Sequence, residues 1–293
     1  MLAKRRKNSN FADKTTAMKQ RVIISNNLEA ELCEAIAQCE HDRIFVLTDE
    51  TSLRLCWPLA ERFECLRWVK MITIPSGDTN KSLDSVSHVW TELQNGGASR
   101  HSLLINMGGG MVTDLGGFAA SCFKRGINFI NIPTTLLAMV DASVGGKTGI
   151  NFGALKNEIG VFNDSRYVIL DTVFLRTLDH ENILSGYAEM LKHTLISDEK
   201  MWTDLITFNL DNPDMNALGR MLAESVEIKE HIVDEDPDEQ GIRKALNVGH
   251  TAGHALESWA MRHGQSLLHG YAVAWGLIVE LYLSAIKSGF PTD

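Results

Sequence analysis

Short apolar runs rich in β-branched residues recur through the first half of the chain: RVIIS (21–25), RIFVLTD (43–49), VKMITIP (69–75), SLLINMG (102–108) and FINIP (129–133). Each has the length and composition of a buried strand. Segments 28–40, 53–63 and 80–95 between them space their apolar residues at a helical period. This alternation predicts a parallel sheet with helices on both faces, whose ligands bind at the carboxyl ends of the strands. After about residue 177 the texture changes. Segments 181–198, 199–209, 214–232, 244–262 and 268–288 are helical in pattern, so an all-helical second domain is expected, with a boundary between 177 and 178. The acidic stretch DEDPDEQG (234–241), which contains Pro and Gly, reads as a solvated loop between two helices. There is no internal repeat and no low-complexity tract.

Composition narrows the class. A chain of 293 residues, 44% hydrophobic and 22% charged, fits a soluble globular protein of two domains. A formal net charge of -9 argues against general nucleic-acid binding, yet a few local Lys and Arg can dominate one cleft and hold a small anion. Five cysteines (33, 39, 56, 65 and 122) include no C-x-x-C pair, so reduced cytosolic thiols are expected, with neither a disulfide framework nor a Cys-ligated zinc. The basic residues from Lys4 to Lys7 precede no apolar run and read as a solvated tail. No later run approaches the length of a membrane span, so a cytoplasmic protein without a membrane partner is expected.

Three groups of residues carry candidate chemistry. Gly108-Gly109-Gly110 follows a strand and opens a helical pattern, where glycines let the backbone approach a pyrophosphate beside unsatisfied helix N–H groups. A plain tight turn would look the same, since the G-x-G-x-x-G order is missing, and Asp114 suits either a ribose or nicotinamide contact or a helix cap. Pro133 to Gly149 concentrates hydroxyls, Asp141, a Gly pair and Lys147 in one glycine-rich connection that suits a polyanion, although it is not a P-loop. Lys124, Arg125 and Lys156 flank it and together would make a phosphate or carboxylate clamp; each alone would be an ordinary surface charge. The third group is GYAEMLKH (186–193), NVGHTAGH (247–254) and LHG (268–270). His250 and His254 are one helical turn apart, and Glu189 shares a face with Lys192 and His193. A carboxylate and two imidazoles from separate helices suit a catalytic metal with open positions. Glu189, His193, His250, His254, His263 and His269 are all candidates, and spacing alone does not select three.

GGGMVTDLGGFAAS, FKRGINFINIPTTLLAMVDASVGGKTGIN, KNEIGVF, SGYAEMLKH and LNVGHTAGHALE, in this order, resemble the signature segments of the 3-dehydroquinate synthase family. The resemblance runs from about Asp49 to about Leu281. It implies a Rossmann-like α/β N-terminal domain (1–177) binding NAD, then a helical domain (178–293) binding metal and substrate. It implies that Glu189, His250 and His269 hold one divalent metal, zinc or cobalt. Asp49, Asp78, Lys81, Gly110, Asp114, Thr134, Thr135 and Lys156 match NAD-contacting positions. Arg125, Asp141, Lys147, Asn157, Lys192, Lys229, Arg243, Asn247 and His254 match positions that hold the substrate, with His254, Lys147, Lys192 and Arg125 expected to act in catalysis.

The activity so implied converts 3-deoxy-D-arabino-heptulosonate 7-phosphate, a phosphorylated sugar acid, to 3-dehydroquinate and phosphate in the shikimate pathway. NAD oxidises a ring hydroxyl transiently, phosphate is eliminated, the hydride returns, and an intramolecular aldol closes the carbocycle. A homodimer is expected. Tyr271, where the family usually has an acidic residue, and KNEIGVFND, in place of the commoner KNLIGAF and an aromatic, depart from the pattern beside presumed ligands and put fine specificity in doubt. Other readings are a cyclase acting on a different sugar phosphate, a metal-dependent polyol dehydrogenase, and a non-catalytic NAD-binding module. Members of the family usually continue past the position of Asp293, so a truncated, weakly active chain with an uncovered apolar face on 268–288 is also expected.

Overall fold

All five expected strands form in the computed structural model, which describes residues 19–291 apart from Ala154 and Asp198; the basic stretch from Lys4 to Lys7 lies outside these. They are β1 (Arg21–Ile24), β2 (Ile44–Asp49), β3 (Lys70–Ile74), β4 (Leu103–Gly108) and β5 (Asn128–Pro133). Three further strands were not anticipated: β6 (Lys147–Phe152), β7 (Leu155–Phe162) and β8 (Tyr167–Leu170). The main sheet is parallel throughout, with strand order β1-β8-β5-β4-β2-β3. Every residue of β4 and β8 is buried, as expected of strands covered on both faces.

Side chains alternate between two cores. On one face Val46, Ile105, Ile130 and Val168 pack with Leu32 and Ile36 of α1 (Leu28–Gln38). On the other, Phe45, Leu47, Leu104 and Phe129 meet α3 (Leu83–Asn95) and α4 (Gly110–Cys122). The expected helix at 53–63 is instead α2 (Glu50–Leu55) and a 3₁₀ turn at Trp57–Leu59, because Pro58 lacks the N–H that would continue the helix. Ser82 caps α3, which therefore starts later than the pattern at 80–95 suggests. β6 and β7 form an antiparallel hairpin in which Gly149 faces Gly160, so the connection expected to be a loop around Lys147 is a strand from that residue on.

The expectation of five reduced thiols is corrected. Cys33 on α1 and Cys65 form a disulfide with Cα atoms 5.3 Å apart, leaving Cys39, Cys56 and Cys122 free. The two are 32 residues apart, and the fold rather than any local spacing brings α1 against the 3₁₀ turn at Glu64–Leu66.

From His180 on, the described residues are helical or irregular: α5 (His180–Leu195), α6 (Glu199–Thr207), α7 (Met215–Glu235), α8 (His250–Arg262) and α9 (His269–Ser288). Asp179 and Asp214 cap α5 and α7. Tyr187 and Met190 of α5 and Leu218, Leu222 and Val226 of α7 join the first core, so the helices grow directly from one face of the sheet. The segment at 244–262 divides into a 3₁₀ turn (Ile242–Asn247) and α8, separated by Gly249 at φ 81°. Contrary to the sequence expectation, α9 is long and apolar enough to cross a membrane by length and composition. Two of its glycines nevertheless press it into the protein, since a Cβ on Gly270 would lie 1.8 Å from the Ser185 carbonyl oxygen and one on Gly276 1.9 Å from that of Gly249.

Candidate active site and metal centre

The carboxyl ends of β2, β4 and β5 form one rim. Asp49 ends β2, and its Oδ1 accepts from Ser52 N at 2.7 Å and from the Ser76 hydroxyl at 3.2 Å. At the end of β4 the chain turns through Gly108 and Gly109 into α4, whose N-terminus no side chain caps. A Cβ on Gly108 would fall 2.5 Å from Val112, which explains why this turn is bare. Thr134 N donates to Gly108 O at 2.9 Å, joining the loops after β4 and β5, and Thr135 Oγ1 accepts from Ala138 N at 3.2 Å. Gly110 lies against Ala142, seven residues beyond Thr135.

Lys81 is buried and donates to both Asp114 Oδ2 and Asn157 Oδ1 at 2.5 Å. Burial raises the Asp114 carboxyl above its ordinary value even though Lys81 opposes it. Lys156, on the hairpin, lies 3.2 Å from Asp78 Oδ2 and 2.9 Å from Glu257 Oε1. All the residues matched to NAD contacts except Asp49 thus belong to two connected groups on this rim.

Three overlapping groups of side chains bring ligand atoms within 4.8 Å of one another, and the first joins Glu189, His250 and His269. Glu189 is fully buried at the middle of α5, while His250 and His269 begin α8 and α9. Glu189 Oε1 lies 3.3 Å from His269 Nε2 and 3.6 Å from His250 Nε2, and one ligand atom from each of the three falls within 4.8 Å of the others. Neither carboxylate oxygen makes a well-formed hydrogen bond, although the Lys192 ammonium pairs with Oε2. Burial would raise this carboxyl, but Lys192, His269 and His250 outweigh it and hold it well below the usual range. Burial lowers His250, whereas Glu189 and Glu257 overcome the same effect at His269 and raise it to about 10. A deeply buried anion facing two imidazoles in this geometry fits a three-ligand divalent site.

The other candidates have further contacts. His193 Nδ1 bonds Ser225 Oγ at 2.8 Å, while a ligand atom of the same ring comes within 4.8 Å of ones on Asp141 and Glu189, and His263 lies tilted against Trp259 at the surface. The His254 ring lies 5.3 Å from His250, exposed at the mouth of the site, with burial and its neighbours lowering its pKa.

The substrate candidates form a band of alternating charge. Lys229 donates to both the backbone and the carboxylate of Asp141, and Lys192 Nζ lies 3.9 Å from Asp141 Oδ1. Arg243, nearly inaccessible, spends NH1 on Pro237 O (2.7 Å) and NH2 on Gly145 O (2.8 Å), so it props the Gly145-Gly146 turn that carries Lys147 and leaves Nε without a partner. Arg125 and Lys124 are not brought in: both are exposed beyond α4, in left-handed backbone, and Lys124 lies over the Phe123 ring instead. The clamp expected from Lys124, Arg125 and Lys156 therefore does not assemble within this chain.

Two acidic residues were missed. Glu239, in the acidic stretch read as solvated loop, pairs with Lys147 and accepts from Asn247 Nδ2 at 2.7 Å. That stretch is ordered because Asp236 accepts from the backbone N–H groups of Gln240, Gly241 and Arg243. Glu257 faces His269 and Lys156, and only its place seven residues after His250, on the same face of a helix, could have pointed to it.

A parallel Rossmann-like sheet joined to a helical half is an architecture shared by sugar-phosphate cyclases and metal-containing dehydrogenases. The chain superposes on a 2-deoxy-scyllo-inosose synthase complexed with carbaglucose-6-phosphate, NAD+ and Co2+ (TM-score 0.82, 26% identity, 93% of this chain and 75% of that one). It also superposes on the 2-epi-5-epi-valiolone synthase of Streptomyces hygroscopicus with NAD+ and Zn2+ bound (TM-score 0.79, 27% identity, 94% and 77% covered). Within that class, the model of the 3-dehydroquinate synthase N-terminal region matches residues 71–185 and that of its C-terminal region residues 186–293. The 3-dehydroquinate synthase of Parabacteroides distasonis is 50% identical over 274 residues, which cover 94% of this chain and 78% of that one. The chain belongs to the 3-dehydroquinate synthase family.

Proposed function

We propose that the protein is a 3-dehydroquinate synthase, a phosphate-eliminating lyase that converts 3-deoxy-D-arabino-heptulosonate 7-phosphate to 3-dehydroquinate and inorganic phosphate. The observation that carries this reading is the convergence of Glu189, His250 and His269 beside the Asp141, Lys192 and Lys229 cluster, next to the bare glycine turn after β4. NAD would sit over Gly110, Asp114, Thr134 and Thr135, with Lys81, Asp78 and Lys156 alongside, in the unit spanning 1–177. The metal would be held by Glu189, His250 and His269 in the unit spanning 178–293. When bound, the two cofactors supply reversible oxidation of a ring hydroxyl and polarisation of its oxygen.

The chain's own residues do the rest. Lys192 and Lys229 balance Asp141 and Glu189, so the cluster can meet a polar substrate without a net buried charge of either sign. Lys147 and Asn247, now satisfied by Glu239, can turn to an anionic group of the substrate; Asn157 adds a polar contact from the hairpin. Arg243 fixes the turn that aims Lys147. His254 Nε2, its pKa lowered by burial and the neighbouring His250, can accept a proton beside the candidate metal centre, a role worth about 10²–10⁴ in rate. A homodimer is the proposed working form, favoured by apolar side chains exposed along β7 and α9.

Phosphate release from the sugar-acid phosphate, followed with and without added zinc or cobalt, tests the proposal. NADH absorbance is expected not to accumulate; steady NADH production would instead indicate a polyol dehydrogenase. His269→Ala is expected to abolish both metal retention and phosphate release while leaving the fold intact.

A further inference from the structure

Glu257 lies on α8 two turns after His250 and is only 4% exposed. Its two oxygens have divided duties. Oε2 lies 3.3 Å from His269 Nδ1, and Oε1 accepts from Lys156 Nζ at 2.9 Å. Lys156 reaches on to Asp78 Oδ2 at 3.2 Å. With Nδ1 held on this side, the His269 ring turns Nε2 to Glu189 Oε1, 3.3 Å away. In the neutral form in which an imidazole ligates a metal, one nitrogen carries N–H and the other a lone pair, so a carboxylate that accepts from Nδ1–H leaves the lone pair at Nε2, facing the candidate metal position. Burying a carboxylate is costly unless both oxygens are satisfied, and here each one is.

We propose that Glu257 is a positioning residue for the metal centre: it holds His269 as the Nδ1–H tautomer with Nε2 presented beside Glu189 and His250, and through Lys156 it ties that ligand to the segment carrying Asp78. This rests on the assignment of Glu189, His250 and His269 as metal ligands. A competing arrangement is visible, because His254, Glu257 and His269 also bring ligand atoms within 4.8 Å of one another. It is disfavoured by the Lys156 ammonium already on Glu257 and by His254 Nε2 standing 4.0 Å off.

The test is a Co2+ titration of the metal-free protein without substrate, read by Co2+ absorption in the visible and by equilibrium affinity, with circular dichroism and thermal melting to check folding. Glu257→Gln is nearly isosteric and keeps the test valid where Glu257→Ala does not fold. The expected result for Glu257→Gln is about 10- to 100-fold weaker Co2+ binding, with a shifted visible spectrum and stoichiometry still near one. Unchanged affinity and spectrum in Glu257→Gln would overturn the proposal. Complete loss of Co2+ in Glu257→Gln, with retention in His250→Ala, would also overturn it by making Glu257 a ligand. His269→Ala reports separately on the underlying assignment: if that variant keeps stoichiometric Co2+, the ligand set itself is wrong, whatever Glu257 does.

Discussion

His193 shows how a side chain next to a reactive cluster can be committed to structure. Its ring is fully buried, Nδ1 is bonded to Ser225, and Nε2 has no partner. Burial, then the Lys192 and Lys229 ammoniums, push its pKa from 6.5 down to about 3. The unfolded chain therefore binds a proton in the window between those values that the folded chain does not, so stability is expected to fall as pH drops from about 6.5 towards 3. Between pH 6.5 and 5, above the ordinary carboxylate range, the His193 contribution to the slope of unfolding free energy would approach about 1 kcal/mol per pH unit. Urea melts of His193→Asn across that interval should show a shallower slope than the parent protein; parallel slopes would mean that His193 ionises in the folded state. From sequence, His193 was indistinguishable from a ligand, because helical spacing places it on the Glu189 face. In the structure it still comes within 4.8 Å of ligand atoms on Asp141 and Glu189, but its Nδ1 is bonded to Ser225 of α7, a contact 32 residues away that no local pattern encodes. Glu239 and Glu257 were illegible for the same reason, since charged residues in a turn and on an amphipathic helix ordinarily face water.

Strands and helices were legible in proportion to how much of their burial is periodic. β1 to β5 form within a residue or two of the expected spans; the central β4 is apolar nearly throughout, as a strand covered on both faces must be, and the edge strands β1 and β3 are short apolar runs only partly buried. The hairpin of β6 and β7 was not seen: its outer positions Phe152, Leu155, Ile159 and Phe162 are exposed, so the usual alternation of apolar and polar residues is missing. β8, four residues and wholly buried, was not anticipated either. The start of α8 was also misplaced, and the structure shows what sets it. Glu280 of α9 accepts from Gly249 N at 2.7 Å and Ala252 N at 3.1 Å, capping α8 from the neighbouring helix and seating His250 at its first turn. Gly276, one turn before Glu280, allows that approach. Gly276→Ala would drive a Cβ into the Gly249 carbonyl and is expected to cost about 1–3 kcal/mol by separating α8 from α9. Thermal unfolding would record this as a drop of several degrees, and Co2+ affinity should fall with it because His250 and His269 sit on the two separated helices. A variant that melts with the parent and binds Co2+ equally would show that the two helices can part without cost.

The molecule as a whole buries one side of α9 and leaves the other to solvent. Gly270, Val273, Gly276 and Leu277 face α5 and α8, whereas Trp275, Ile278, Tyr282, Leu283 and Ile286 are each at least half exposed. Together with Val279 and Phe290 they form a nearly continuous apolar strip, much as the hydrophobic pattern of 268–288 implied. Scattered apolar residues on a surface need no explanation, but a strip this long on one helix favours association. The net charge of -9 opposes it only weakly at physiological salt, where charges more than about 8 Å apart are largely screened. Sedimentation of the 293-residue chain over a range of concentrations is therefore expected to show self-association through this strip. Replacing Ile278 and Leu283 by Lys places two charges in the middle of it, at positions that touch neither the metal ligands nor the glycine turn. That double variant should sediment closer to a monomer while its Co2+ affinity stays within about twofold of the parent. Unchanged association would assign the contact to another surface, with the exposed side of β7 the next to alter. Loss of Co2+ binding together with association would show instead that the partner chain supports the metal centre.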